Sequence, residues 1–529
     1  MLTQKPTNSP LHWPLLLLTA LSLSIGWGIR GNFGHEFGAM IPGALAAMAV
    51  ALLSGREDWW RRVACFAFFG ALGWSFGGSM SYMQVIAYTH SGHSLSVFYG
   101  FAGLFVIGFL WAAMGGAGTA MPALLDRERL TEFFAPLSAV FVAWLLQDVA
   151  ENLLVTVNPD FRHESPLYWY DTDWLAALTA IVAVVVLALV RRRFCRASSL
   201  ILHMALGWWL GFVVLVLVLG WRMTPPRGDS WAGCVGMVGG LWIYCWRHRL
   251  TGLLFASLVT GFIGGFGFAT ADLIKHALIT NGWNTNWHSV LEQTYGFING
   301  LGVAVAMGWL AARAPRVTDD PPVRRWTESY AVAFVLVLLT YLNLSKNPGT
   351  WVKTKSVPEV MYGLSADAWF GLAYLALAAA VVGLLVLNAR RPLALVPASW
   401  LGKGQLLYVV FLWWMVVGNF ERAVVGFAPQ RLITEGVIYF NAVVCTLLLL
   451  LWGGSARVEA PALVPDYARW VRNAAWIGAL GFLVSVAVDW GITRAIHGDR
   501  FDGYGARHIR FGPESTATKE KPKAGQKHP

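Results

Sequence analysis

The sequence predicts an all-α, polytopic integral membrane bundle, and three observations carry that expectation. Of 529 residues, 56% are hydrophobic and 13% are charged, against roughly 25% charged in an average soluble domain. Mean hydropathy is +0.53. Apolar runs of the ~20 residues that cross hydrocarbon as a helix follow one another through nearly the whole chain. These features exclude a soluble enzyme, a disordered chain and a nucleic-acid-binding module.

The spans fall at 12–30, 36–54, 62–88, 96–122, 131–154, 174–190, 197–220, 231–246, 250–279, 289–312, 327–345, 366–388, 404–424, 432–453 and 473–493. That makes fifteen helices, or fourteen without the short stretch 231–246. The first follows Lys5 with the apolar run Leu15–Ile25, but no small-residue cleavage site comes after it, so it reads as an uncleaved helix. Residues 1–500 then form one membrane domain, and 501–529 a polar, Lys-rich tail that reads as disordered. No GxxxxGK[ST] phosphate loop is present, which argues against ATP-driven work by this chain.

Every second loop is basic, among them Arg56/Arg61/Arg62, Arg127/Arg129, Arg191–Arg193, Arg247/Arg249 and Arg390/Arg391. Lys and Arg collect on the cytoplasmic side of membrane proteins, so these loops and the N-terminus are expected there, in a bacterial-type inner membrane. The net charge of +11 is then a topology signal facing anionic lipid, with no nucleic-acid partner. Cys65, Cys195, Cys234, Cys245 and Cys445 include no CxxC pair and lie in or beside apolar runs, so neither a disulfide framework nor a zinc ribbon is expected.

Charge inside a bilayer is costly and marks function by default. In this topology nearly all such groups fall toward the outer side. Helix one ends in Trp27-Gly28-Ile29-Arg30, and helix two begins with His35-Glu36. Helix three carries Gln84 in its outer half, and helix five ends with Asp148, Glu151 and Asn152. Helix nine ends with Asp272, Lys275 and His276, and helix ten opens with His288 and Glu292. Arg222, Asn419, Glu421, Arg422 and Asp489 lie at the same level. Asp148/Glu151/Asn152 and Asp272/Lys275/His276 both run i, i+3, i+4, and His288/Glu292 run i, i+4, so each set shares a helix face. Arg30 and Glu36 could tie helices one and two together as an ion pair. His288/Glu292 lacks the HExxH context of a zinc site, and no metal or other cofactor is expected.

Trp169, Tyr170, Trp174, Trp283, Trp287 and Trp351 lie in or beside the outer loops. Flat aromatic faces over carboxylates suit a sugar or a cation. Glycines concentrate in Gly26/Gly28/Gly31, Gly70/Gly73/Gly77/Gly78, Gly115/Gly116/Gly118 and Gly261/Gly264/Gly265/Gly267. They predict either close helix packing or helices that break to expose backbone. Gly70-x-x-Gly73 matches Gly261-x-x-Gly264, and Tyr99-Gly100-Phe101 matches Tyr295-Gly296-Phe297, in the same order. The sequence therefore carries a candidate parallel repeat over 62–248 and 250–455.

The leading expectation is a secondary transporter or permease for a polar organic solute, such as a sugar or sugar acid, coupled to a proton or sodium ion. In that reading Arg30 and Lys275 balance ligand or carboxylate charge, and the carboxylates bind a cation, a proton or hydroxyls. The alternatives are a membrane-embedded glycan- or lipid-linked transferase or hydrolase on the outer face, and a non-catalytic scaffold subunit.

Overall fold

A computed structural model of the chain describes residues 11–30, 36–80, 82–91, 94–158, 172–223, 229–283, 285–317, 326–355, 357–390, 402–418, 429–452 and 466–498. His35, Trp169, Tyr170, Asn419, Glu421, Arg422 and the tail 501–529 lie outside them, as does the side chain of Glu36.

The described residues are helical almost throughout. In order they form α1 (Trp13–Arg30), α2 (Glu36–Leu53), α3 (Glu57–Trp60), α4 (Val63–Ser75), α5 (Met83–Thr89), α6 (Ser94–Leu124), α7 (Arg127–Val157), α8 (Trp174–Arg191), α9 (Arg196–Phe212) and α10 (Ser230–Arg247). There follow α11 (Thr251–Ile279), α12 (Trp287–Arg313), α13 (Trp326–Ala333), α14 (Thr340–Leu344), α15 (Asn347–Lys353), α16 (Ala366–Arg390), α17 (Lys403–Gly418), α18 (Pro429–Trp452) and α19 (Tyr467–His497). A two-residue hairpin, Val360–Met361 with Leu364–Ser365, is the one strand pair among them.

All fifteen predicted segments contain helix, but they are not equivalent. Eleven described helices are long and apolar enough to span a bilayer, and a twelfth counts if α4 and α5 form one broken span. The other three are the short apolar helices Phe37–Leu53 and Lys403–Gly418, and α10, which carries less apolar length. The expected continuous helix over 62–88 is interrupted. α4 ends at Ser75, the 3-10 turn Phe76–Ser79 follows, and helix resumes only at Met83. Gly77 lies so close to the Trp111 ring that no side chain fits there.

Lipid is written into the exposed faces. On α16 Leu372, Leu375, Val382, Leu384, Val386 and Leu387 are exposed, and on α19 Trp476, Ile477, Leu480, Leu483 and Val484. An apolar surface of that extent is not stable in water; it matches a helix face against hydrocarbon. By contrast α1 is buried along nearly its whole length by other helices. The protein is a multi-pass integral membrane protein.

The chain resolves into two compact units. One comprises Met1–Gly78, Phe105–Ala135 and Tyr244–Thr493, the other Ser79–Leu104, Pro136–Ile243 and Arg494–Pro529. In the larger unit α1 is the hub, and glycines let it approach its neighbours backbone to backbone. A methyl group on Gly300 of α12 would sit 2.5 Å from Ala20 Cα, and one on Gly296 would sit 2.7 Å from the Leu23 carbonyl. On the other side Gly26 abuts Pro42 of α2. Gly43 faces the Gly70 carbonyl, Gly73 faces Gly118, and Gly116 takes Thr260. The close-packing reading of the glycines therefore holds at most of the predicted positions. Tyr408 of α17 reaches Ser22 of α1 at 2.6 Å, oxygen to oxygen, in the buried core. Tyr408→Phe should lower stability by about 1 kcal/mol, read as the unfolding free energy in detergent, because Ser22 keeps its bond to the Leu18 carbonyl.

One end of this unit is tied by arginines to helix carbonyls. Arg56 donates from Nη1 to Ala311 O at 2.9 Å and Ala314 O at 2.7 Å, and from Nη2 to Pro315 O at 3.0 Å. Its Nε and Nη2 also grip Asp58 at 2.9 and 2.7 Å. Arg62 donates to Pro122 O and Leu125 O at 3.1 and 2.6 Å. Both side chains answer the unpaired carbonyls and the negative dipole at helix C-termini, those of α12 and α6.

In the smaller unit, Val140, Ala180, Ala183 and Val184 form a core joining α7 to α8. There α9 and α10 meet through glycines four residues apart on each side, Gly207 and Gly211 against Gly236 and Gly240. That is the small-xxx-small solution to helix contact in lipid.

Candidate functional site

The polar residues of the larger unit gather at the end opposite Arg56. α1 finishes there with Arg30, α11 reaches it with its last turns, and α12 starts from it. Arg30 is 1% exposed, although it is charged and ends a membrane helix. Its guanidinium lies over two indoles, 4.5 Å from the Trp27 ring centroid and 4.7 Å from that of Trp111. Trp27 precedes it by three residues on the same helix face. Glu292 of α12, equally buried, approaches with Oε1 3.7 Å from Arg30 Nη2. His288, one turn earlier and 38% exposed at its side chain, reaches the same Oε1 from Nε2 at 3.5 Å.

The two indoles continue into an aromatic layer. Trp27 meets Trp111 edge-on at 4.6 Å and Tyr295 at 4.5 Å, and Tyr295 stacks on Phe268 of α11 at 4.3 Å. All four rings are almost wholly buried. Edge-to-face and stacked pairs each add about 0.5–1.5 kcal/mol beyond burial, so the layer is firm. One turn beyond it on α12 lies Asn299, fully buried, with neither Oδ1 nor Nδ2 hydrogen-bonded. Along α12 the sequence His288, Glu292, Tyr295, Asn299 makes one polar stripe, from the half-exposed imidazole to the middle of the helix.

A second polar group sits on α11. Asp272, 0% exposed, takes Lys275 Nζ at 3.4 Å on one oxygen and His276 Nε2 at 3.1 Å on the other. The predicted i, i+3, i+4 face is thus a bonded triad. Asp489 of α19, held by Ser485 Oγ at 3.2 Å, lies within electrostatic reach of Asp272. Among the described residues no three His, Cys, Asp or Glu side chains converge as metal ligands would.

No family model, no curated protein and no solved structure matches this chain.

The structure thus brings Arg30, His288 and Glu292 together and, separately, Asp272, Lys275 and His276. Arg30 takes Glu292 as a partner, and the side chain of Glu36 is outside the described residues. Gln84, Asp148, Glu151 and Asn152 belong to the smaller unit. Gln84 and Glu151 are half-buried, while Asp148 and Asn152 are exposed. Gln147 Nε2 donates to Glu151 at 2.7 Å. Of the aromatics that the sequence places in or beside expected outer loops, Trp174 meets Trp209 and Trp351 meets Phe370. The two Tyr-Gly-Phe sequences have different surroundings. Tyr99 donates to the Arg222 and Met223 carbonyls at 3.1 and 3.2 Å, whereas Tyr295 is packed in the aromatic layer. Sequence reasoning missed Trp27, Trp111, Tyr295, Phe268 and Asn299. Uncharged residues in apolar runs carry no cost signal, although the Trp27–Arg30 spacing was available.

Proposed function

We propose that the protein is a permease for a polar organic solute, which binds at the Arg30 end of the larger unit. The observation that carries this reading is the Arg30–Glu292 pair. Both side chains are 1% exposed and approach within 3.7 Å of each other. Charge buried in a membrane helix is costly and marks a functional site by default. The multi-helix architecture, with polar side chains on three closely packed helices, supports a solute site more directly than it supports a scaffold. The solute class suggested by the sequence, a sugar or sugar acid, fits a site of one cation, carboxylates and flat aromatic faces.

The test is counterflow in proteoliposomes with a panel of labelled sugars and sugar acids. Glu292→Gln removes the charge that faces Arg30 but keeps the shape. A hydrogen bond to a charged group is worth about 1.5–3 kcal/mol, so uptake should fall at least about tenfold while the purified variant keeps its elution profile. Unchanged uptake by the variant counts against the assignment, and so does the absence of flux with every solute in the panel.

A further inference from the structure

We infer that the Arg56 end of the larger unit binds the phosphate of an anionic phospholipid, held by Arg313 where α12 ends and α19 begins. The inference stands apart from the permease reading and makes no use of the Arg30 site.

The first observation is charge without a counter-charge. Arg313 closes the last turn of α12. Its guanidinium carbon lies 3.7 Å from the Trp309 ring centroid and 5.9 Å from that of Trp470 on α19, and the two indoles meet edge-on at 4.3 Å. The side chain is half-buried, and its Nη1 is buried with no hydrogen-bond partner among the described residues. Arg316 follows it, and Arg469 and Arg472 flank Trp470; all three are exposed. None of these four arginines has a carboxylate partner among the described residues. The dipole of α12 accounts for one cation at its C-terminus, but not for four. The carboxylates of this end are engaged or lie in water. Asp58 is gripped by Arg56 and accepts from Val317 N–H at 2.9 Å, and the exposed Asp466 accepts from Ala468 N–H at 3.0 Å.

The second observation is a buried donor at the same place. Tyr467 opens α19 and is 7% exposed, and its hydroxyl has no hydrogen-bond partner among the described residues. It lies within electrostatic reach of Arg56 and Arg313. Its ring packs on the first turn of α11, where a methyl group on Gly252 would sit 3.6 Å from Tyr467 Cε2. No side chain caps that turn, so the positive end of a 29-residue helix lies beside the same ring. A set made of guanidinium, phenol and helix N-terminus offers donors and positive charge, and it selects an anion.

The surface of α19 decides which anion. Arg469, Arg472, Trp476, Leu480 and Leu483 follow one another at three- and four-residue steps, all exposed, and so share one face. The apolar part of that face is the lipid-facing stripe. The two arginines therefore stand where the stripe meets the headgroups, the level that Trp also prefers. The planar fork of arginine matches phosphate oxygens two at a time. A phospholipid answers both halves of the surface, with its phosphate at Arg313 and its acyl chains along the Trp476 face. A free phosphate answers only the first.

The experiment uses the full-length protein, delipidated in detergent, and titrates phosphatidylglycerol, phosphatidylcholine and inorganic phosphate in turn. The thermal midpoint reports binding to the folded state, and native mass spectrometry counts the lipid retained. The expected result is a midpoint raised by phosphatidylglycerol, with at least one copy retained, and no comparable rise with the other two. Arg313→Gln should weaken phosphatidylglycerol at least about tenfold, as loss of a charged hydrogen bond does. The double variant Arg469→Gln, Arg472→Gln changes only exposed side chains. It should weaken binding about fivefold per arginine, and it tests the site even if Arg313→Gln fails to fold. Tyr467→Phe should weaken binding while the lipid-free midpoint holds, because the hydroxyl has no bond to lose. Arg61→Gln, which removes an exposed arginine paired with Glu57 at the same end, should leave binding unchanged. No stabilisation by phosphatidylglycerol, or as much by phosphatidylcholine, overturns the headgroup site. As much stabilisation by inorganic phosphate overturns the lipid as its ligand. A loss in Arg61→Gln as large as in the double variant reduces the effect to diffuse charge and overturns the assignment to Arg313.

Discussion

Arg56→Ala should destabilise the protein by about 3–5 kcal/mol, the cost of breaking a buried pair and leaving one partner charged in place. The loss exceeds that of an ordinary ion pair because one side chain does two jobs. It neutralises Asp58 through two hydrogen bonds, and it satisfies the carbonyls of Ala311, Ala314 and Pro315. After truncation the carbonyls at the end of α12 and the Asp58 carboxylate are all left buried. The change should appear as a lower midpoint in detergent denaturation. The pair also fixes an acid limit. Burial pushes the Asp58 carboxyl up, but the Arg56 hydrogen bonds and charge, with the Val317 N–H, outweigh it and hold the group below its ordinary value. A carboxyl lowered on folding stabilises the folded state above its unfolded value of about 3.9. That contribution is lost as pH falls through the lower folded value. Acid denaturation of the wild type should show this loss below about pH 4, and Asp58→Asn should show a shallower acid limb.

Gly300→Leu should prevent assembly of the larger unit. Even a methyl group at this position would lie 2.5 Å from Ala20 Cα and 2.6 Å from Thr19 O, both main-chain atoms that cannot swing aside. Overpacking of a closed interface costs roughly 1–3 kcal/mol for a few added methylenes; a full Leu against backbone exceeds that range. α1 and α12 would have to separate, and separation dismantles the Arg30–Glu292 site, since each helix holds one partner. The expected result is protein that inserts but elutes as aggregate. Gly300→Ala, whose single methyl group already meets this backbone, should lower the midpoint by less than Gly300→Leu does. A Leu variant with wild-type midpoint would show that α1 and α12 do not touch at Gly300.

The helices were legible because their signal is additive: some twenty apolar residues outvote any single exception. Even the weakest segment, 231–246, forms helix over Ser230–Arg247. Partners in lipid were less legible. Asp272, Lys275 and His276 were read correctly as one face because they lie within one turn of each other. The approach of Glu292 to Arg30 was not readable, since it depends on α1 packing against α12, and that packing is set by Gly296 and Gly300 meeting backbone. No local rule ties those glycines to a helix made hundreds of residues earlier. The break between α4 and α5 was missed for a related reason. Gly77, Gly78 and Ser79 permit a break, but it is the Trp111 ring lying against Gly77 that occupies the space. Asn299 was passed over because one neutral amide hardly changes a hydropathy sum, yet buried without a hydrogen bond it is as informative as a charge.

The contact between α1 and α12 also sets a schedule for synthesis. Ser24 donates to the Gln293 carbonyl across 269 positions of sequence. At roughly 5–20 residues per second, the ribosome completes the first helix on the order of tens of seconds before the helix that will cover it. Throughout that interval Arg30 has no Glu292 to balance it, and the glycine-contact surface of α1 has lipid or a chaperone for a neighbour. The hub of the larger unit is thus made well before the helix that covers it. In truncated chains that stop before Trp287, a cysteine substituted for Ala20 should react with a membrane-permeant thiol probe, and in chains extended past Arg313 it should be protected.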